Sequence, residues 1–155
     1  MIIIHPIIAD IVWPALYLEL RLFSFWAIAA GLMAELLFVR YITQFSWGKC
    51  IIADIGMNAV SSLLGVILIP LAGIAWEFLP GIALYKIFNI GTFNPITWTA
   101  TFLLAVIING TLETMTLRYA FKRKIGKKGF WLLCLANTIS IGMAFYSIVI
   151  YPVRV

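Results

Sequence analysis

The sequence predicts an all-α integral membrane protein with four transmembrane helices, arranged as two similar helical hairpins. Three observations predict this fold. Hydrophobic residues make up 64% of the 155 residues and charged residues only 11%, whereas soluble domains are about half apolar and about a quarter charged. Apolar stretches long enough to cross a bilayer alternate with shorter polar connections. A set of polar residues in the first half of the chain recurs in the second half.

We expect the whole chain, 1–155, to form a single membrane domain. Its parts, in order, are an interfacial N-terminal segment at 1–13, hairpin one at about 14–76, an outer connection at 77–95 and hairpin two at about 96–152. The four helices are predicted at about 14–41, 49–76, 96–121 and 129–151. Proline suits a first helical position, so Pro14 is the predicted start of helix one. The apolar middle of the outer connection predicts a short helix in the headgroup plane.

The positions of Lys and Arg predict the orientation of the chain. The basic residues of the first and third connections are Arg40, Lys49, Arg118, Lys122, Arg123, Lys124, Lys127 and Lys128. The positive-inside rule therefore places loops 41–48 and 119–128 in the cytoplasm and both termini outside. We expect this membrane to be a prokaryotic cytoplasmic (inner) membrane. The same side chains are candidates for contact with anionic lipid headgroups, and nucleic acid is not a predicted partner.

The two predicted hairpins share a pattern of polar residues. In the first hairpin the pattern is Glu35, Arg40, Tyr41, Lys49, Asn58 and Ser61, and in the second it is Glu113, Arg118, Tyr119, Lys128, Asn137 and Ser140. Matched residues of the two hairpins are 78 positions apart when they precede the connection within each hairpin, and 79 positions apart when they follow it. Helices one and three have the same predicted direction, so the repeat is parallel, with a pseudo-two-fold axis along the membrane normal. Internal duplication explains this pattern better than chance.

The matched glutamates and asparagines lie at membrane depth. Glu35 precedes Arg40 by five residues, which places it roughly 7 Å deeper at about 1.5 Å per residue. Polar groups in hydrocarbon need partners inside the protein. We therefore expect Glu35 to contact the Asn58/Ser61 face and Glu113 to contact the Asn137/Ser140 face. Alternatively, the two half-sites meet each other at the centre of the bundle.

Two further polar residues belong to this candidate site. Asp54 lies one turn before Asn58 and has no counterpart in the second hairpin, where the matching residue is Leu133. It either contributes to a polar pocket or reaches the cytoplasmic interface. Asn109 and the adjacent Gly110 add a polar, closely packed patch near Glu113.

The glutamates have three possible roles. In the first, each glutamate is structural and fixes the register of two helices through hydrogen bonds. In the second, the pair binds or relays a proton or cation, because ionisable residues inside membranes are functional candidates. In the third, the two carboxyl groups form a catalytic acid/base pair, although the only histidine is His5 and no nucleophile motif is present.

Composition also limits the cofactors and partners. The two cysteines, Cys50 and Cys134, are not in a metal-binding or disulfide pattern. We predict no metal site and no cofactor. The function that the sequence favours is a non-catalytic subunit or assembly component of a larger membrane complex. Its partners would be the lipid bilayer and other subunits or copies of itself. The alternative is a small oligomeric transporter or channel that moves a proton or cation through Glu35 and Glu113.

Overall fold

A computed structural model describes residues 25–88 and 95–150, which form helices joined by short connections at 44–46 and 120–126 and contain no β-strand. The helices are α1 (Phe25–Thr43), α2 (Trp47–Trp76), α3 (Ile82–Phe88), α4 (Pro95–Tyr119) and α5 (Lys127–Ile150). The predicted ends of these helices, where they are described, agree with the structure to within two residues. The predictions for segment 1–13, for Pro14 and for the residues after Ile150 concern parts of the chain outside the described residues.

The two tight connections end their helices in the same way. Gln44 follows α1 and has a φ of 57°, and Lys122 follows α4 and has a φ of 52°. Left-handed backbone is uncommon for residues other than glycine and is typical just after a helix. Gln44 and Lys122 are 78 positions apart, which is also the distance in sequence between Glu35 and Glu113. The left-handed residue therefore recurs at the same spacing as the polar residues that precede it.

The connection after α2 begins differently from the prediction. The sequence predicts that helix two ends at about residue 76 and that a connection follows, but the chain remains helical from Trp47 to Phe88 through a π-helical turn, Glu77–Gly81. Proline has no N–H group and clashes with the carbonyl four residues earlier, and a wider π turn accommodates both defects. The predicted short helix is present as α3, and it follows α2 without an intervening loop.

The four long helices form a ring. Helix α1 packs against α2 and α5, and α4 packs against the same two helices. If α1 is exchanged with α4 and α2 with α5, the list of helix pairs that pack together stays the same. Helical segments Trp47–Phe88 and Pro95–Tyr119 are long and apolar enough to cross a membrane. Large apolar side chains are also exposed on the outside of the ring, for example Leu63 at 74% and Leu37 at 63%.

Candidate functional site

Two hydrogen-bonded Glu–Asn pairs lie inside the ring. Asn58 Nδ2 donates to Glu35 Oε2 at 2.5 Å, and Asn137 Nδ2 donates to Glu113 Oε2 at 2.7 Å. Each pair joins the two long helices of one hairpin. Glu35 is 1% exposed and Glu113 is 0% exposed, so these amides supply donors that water does not. The predicted contact between each glutamate and its asparagine is therefore present.

The backbone contacts of the two asparagines are also equivalent. Asn58 Nδ2 donates to the carbonyl of Asp54, four residues earlier, at 3.1 Å. Asn137 Nδ2 donates to the carbonyl of Leu133 at the same spacing and at 3.1 Å. Each amide is thus fixed on its own helix while it bonds to the carboxyl group of the neighbouring helix.

The serines do not bond to the glutamates in the described structure, which corrects part of the predicted contact. Ser61 Oγ donates to the carbonyl of Asn58 at 3.2 Å, and Ser140 Oγ donates to the carbonyl of Asn137 at 3.1 Å. A hydroxyl on a helix readily bonds to a carbonyl in the preceding turn. The serines therefore contribute polar surface beside the pairs, and each asparagine provides the side-chain bond to its glutamate.

Both half-sites border one cavity of about 270 Å³. Its polar lining consists of Asn58, Ser61, Ser62, Asn109, Asn137 and Ser140. Gly31 and Gly65 also line it, and their lack of side chains leaves space beside the polar groups. Ser62 is exposed, so the cavity reaches the surface of the ring beside α2. The two half-sites therefore face a common space.

Three buried acceptor atoms near this cavity have no hydrogen-bond donor in the described structure. They are Asp54 Oδ1, Asn109 Oδ1 and Glu113 Oε1. Asp54 is 3% exposed, so its side chain lies inside the ring. The carboxyl groups of Glu35, Asp54 and Glu113 are close enough to interact electrostatically. Buried acceptors are normally bonded, so this region has unused capacity for a proton, a cation or a donor group.

An apolar cluster separates the glutamates from the two tight connections. Its buried members are Val39, Cys50, Ala53, Met57, Leu117 and Leu133. Val39 and Leu117 each lie one turn after a glutamate, on the side of the connections, and both are 0% exposed. The cavity lies on the other side, since its α1 lining (Ile28, Gly31 and Leu32) precedes Glu35. In this conformation the polar site is closed toward the connections.

Two glycines allow the helices to approach closely at this level. A Cβ at Gly31 would lie 2.8 Å from Ser140 Cβ, and a Cβ at Gly110 would lie 2.6 Å from Cys134 Sγ. The first contact joins α1 to α5 and the second joins α4 to α5. The packing at Gly110 agrees with the prediction, whereas Gly31 and Ser62 were not predicted. Gly31 could have been found from the sequence, because it is a small residue one turn before Glu35, and small residues at such positions are typical of closely packed membrane helices.

The predicted headgroup residues lie at the end of the ring that carries the tight connections. Seven of them are exposed, namely Lys49, Arg118, Lys122, Arg123, Lys124, Lys127 and Lys128. Arg40 is half-buried and donates through Nη1 to the carbonyl of Phe45. Its guanidinium carbon is 5.5 Å from the centre of the Trp47 ring, within the range of a cation–π contact.

Within residues 25–88 and 95–150, no group of three or more His, Cys, Asp or Glu side chains is arranged to hold a metal ion. No protein family, curated protein or solved structure matches the chain in the comparisons made. The geometry of the polar site is therefore the basis for assigning a function.

Replacing Asn137 with leucine is expected to lower the free energy of unfolding by about 1 kcal/mol, because a buried hydrogen bond typically makes a net contribution of that size. The change leaves Glu113 with no side-chain donor on either oxygen. Asn58→Leu should have a similar effect in the other hairpin. Unfolding in mixed micelles, followed by circular dichroism, measures the loss. Asn109→Leu is the matched control, since Asn109 Oδ1 has no bond to lose. Unchanged stability in both test variants would remove the claim that the pairs stabilise the fold.

Proposed function

We propose that the protein is an integral membrane protein with four spans in two hairpins, related by an approximate two-fold axis along the membrane normal. Two spans are supported by their length and apolar character. The other two, α1 and α5, have 19 and 24 residues and pack directly beside them. The recurrence of the Glu–Asn bonds and of the left-handed residues in the connections supports the repeat. The basic residues favour a cytoplasmic location for both tight connections.

The function we propose is the binding and movement of a proton or a small cation through Glu35 and Glu113. The observation that carries this proposal is the shared cavity, which is lined by the asparagine of each buried Glu–Asn pair, together with an oxygen of Glu113 that has no donor among the described residues. In a purely structural network, each buried oxygen acceptor would be expected to receive a hydrogen bond from another group of the protein. Acceptors left open at membrane depth are typical of ion and proton pathways.

The apolar cluster gives the proposed pathway a direction of access. The cavity provides an approach from one side, and Met57, Leu117 and the rest of the cluster close the other side. Movement of a proton or cation across the membrane therefore requires the cluster to separate at least transiently. The described conformation is then one of two states. It is closed toward the basic connections, and its cavity, on the other side of the cluster, reaches the surface of the ring beside α2.

Flux through the purified protein tests this proposal. The protein is reconstituted into vesicles that contain a trapped pH-sensitive dye, and a potassium diffusion potential provides the driving force. Sodium and potassium movements are then followed with ion-sensitive dyes in the same preparation. We expect flux of at least one of these ions well above that of protein-free vesicles. Flux equal to the protein-free control for all of them would contradict the transport proposal.

A second candidate function is that of a subunit or assembly component in a larger membrane complex. The exposed face of α2 favours it, because only 17% of the most apolar window in Trp47–Phe88 is buried inside the protein, compared with 44% in Pro95–Tyr119. Purification from the native membrane in mild detergent, with mass spectrometry of the intact particle, tests this candidate. Stoichiometric partner proteins would support it, and a pure homo-oligomer or monomer would contradict it.

A further inference from the structure

We infer that a cleft at the basic end of the ring binds a phosphate-bearing anion through Arg40, Lys124 and Lys128. This inference does not depend on the proposed transport function. The cleft has a volume of about 740 Å³ and lies where the end of α1 meets the connection before α5. Its three cationic side chains come from two different segments of the chain, and none of its lining residues carries a carboxylate. An anion would therefore meet positive charge that no lining residue offsets.

Several contacts hold this cleft in shape. Arg40 is fixed by its bond to the carbonyl of Phe45. The ammonium group of Lys128 lies 5.8 Å from the centre of the Tyr41 ring. A Cβ at Gly129 would lie 3.1 Å from Ile42 Cγ2, so this glycine lets the first turn of α5 come close to the end of α1. The guanidinium group and the lysines thus line a site that exists before the ligand arrives, which lowers the entropy lost on binding.

Phosphate oxygens suit this set of donors. Arginine offers a planar fork of N–H groups, and lysine provides a compact positive charge. Lys128 and Gly129 belong to the first turn of α5, whose backbone N–H groups have no acceptor within the helix. These N–H groups are additional donors for an anion, and the cationic side chains remain the main feature of the site. Basic pockets between the ends of membrane helices are known binding positions for anionic lipid headgroups, and free phosphate presents the same chemistry.

The equivalent place in the other hairpin differs. There the ring of Phe121 packs against α2, with its carbon atoms 3.6 Å from the position of a Cβ on Gly56. The residue matched to Phe121 by the offset of 78 is Thr43, a small side chain that is buried and bonds to the carbonyl of Val39. Lys49 and Arg118 do not line the cleft beside Arg40. Positive charge therefore surrounds both connections, and the cleft described here lies beside Arg40.

Four lysines in the connection before α5 and in the first turn of α5 provide a matched test. Lys124 and Lys128 line the cleft, whereas Lys122 and Lys127 do not, and all four are exposed. The full-length protein in an uncharged detergent is titrated with short-chain phosphatidylglycerol, short-chain phosphatidylcholine or inorganic phosphate at constant ionic strength. Tryptophan fluorescence reports binding. We expect the double variant Lys124→Gln/Lys128→Gln to bind the anion with a Kd about tenfold higher or more, because charge-assisted hydrogen bonds are lost. Lys122→Gln with Lys127→Gln should change the Kd by less than about threefold.

The outcomes distinguish a lipid ligand from a soluble one, and they distinguish a specific site from a general effect of positive charge. Saturable binding of phosphatidylglycerol but not of inorganic phosphate identifies a lipid headgroup, and saturable binding of inorganic phosphate identifies a soluble ligand. Either result supports the site when the variant at the cleft is the one that loses affinity. Equal weakening in the two double variants would show a general effect of positive charge and overturn the inference. Absence of binding of both anions to the unmodified protein would also overturn it.

Discussion

Replacing Glu113 with glutamine is expected to reduce proton or cation flux to the level of protein-free vesicles while leaving the bundle folded. Glu113 is 0% exposed, and its Oε1 has no donor within residues 25–88 and 95–150. Glutamine retains a carbonyl that can accept from Asn137, so the helix contact survives and the change in unfolding free energy should stay within about 1 kcal/mol. The substitution removes the carboxyl group, which is the group that exchanges a proton or attracts a cation. Glu35→Gln should have the same effect in the first half-site.

Glu77→Gln is the matched control for these variants. Glu77 is also buried, but it lies in the π turn after α2 and outside the shared cavity. The control protein should retain flux, measured in the same vesicles and normalised to the reconstituted protein. Full flux in both Glu35→Gln and Glu113→Gln would falsify the transport function and leave the glutamates with a structural role.

Gly110→Val is expected to have the largest effect on stability, lowering the unfolding free energy by about 2–3 kcal/mol through overpacking. A Cβ at this position would lie 2.6 Å from Cys134 Sγ and 3.4 Å from the Cys134 backbone nitrogen. Helices α4 and α5 would have to separate where they hold the second Glu–Asn pair. Denaturation in mixed micelles measures this loss, and Cys134→Ala in the same protein should recover part of it.

Gly142→Val provides the comparison on α5. A Cβ there would meet no atom within 4 Å, so the added side chain should change the unfolding free energy by less than about 1 kcal/mol. If the two valine variants were equally stable, the close packing of α4 on α5 at Gly110 would not contribute to the fold.

The features that local sequence determines were predictable. Apolar length and short polar connections predicted the four long helices, and the spacing of Glu35 and Asn58 predicted their contact, because buried polar groups in adjacent helices need each other. The serine contacts were not predictable from spacing alone. A serine hydroxyl has an acceptor in its own helix, and that local bond prevailed at both Ser61 and Ser140.

The remaining differences depend on tertiary structure. Pro80 usually marks a helix end, but a π turn carries the helix past it. The burial of Asp54 depends on how α2 is rotated against its neighbours, and its sequence position alone does not determine that rotation. The cleft beside Arg40 requires the end of α1 to lie next to the connection before α5. No local pattern encodes that contact, although the lysines that line the cleft are visible in the sequence.

The most direct test of the central claim is infrared difference spectroscopy of the protein in membranes, between acidic and alkaline buffers and on addition of sodium. The account predicts reversible changes in the carboxyl bands, partly lost in Glu35→Gln and in Glu113→Gln and largely absent when both are replaced. Such a result would show that these two side chains exchange a proton or cation inside the bundle. Identical difference spectra for the unmodified protein and the double variant would contradict the account.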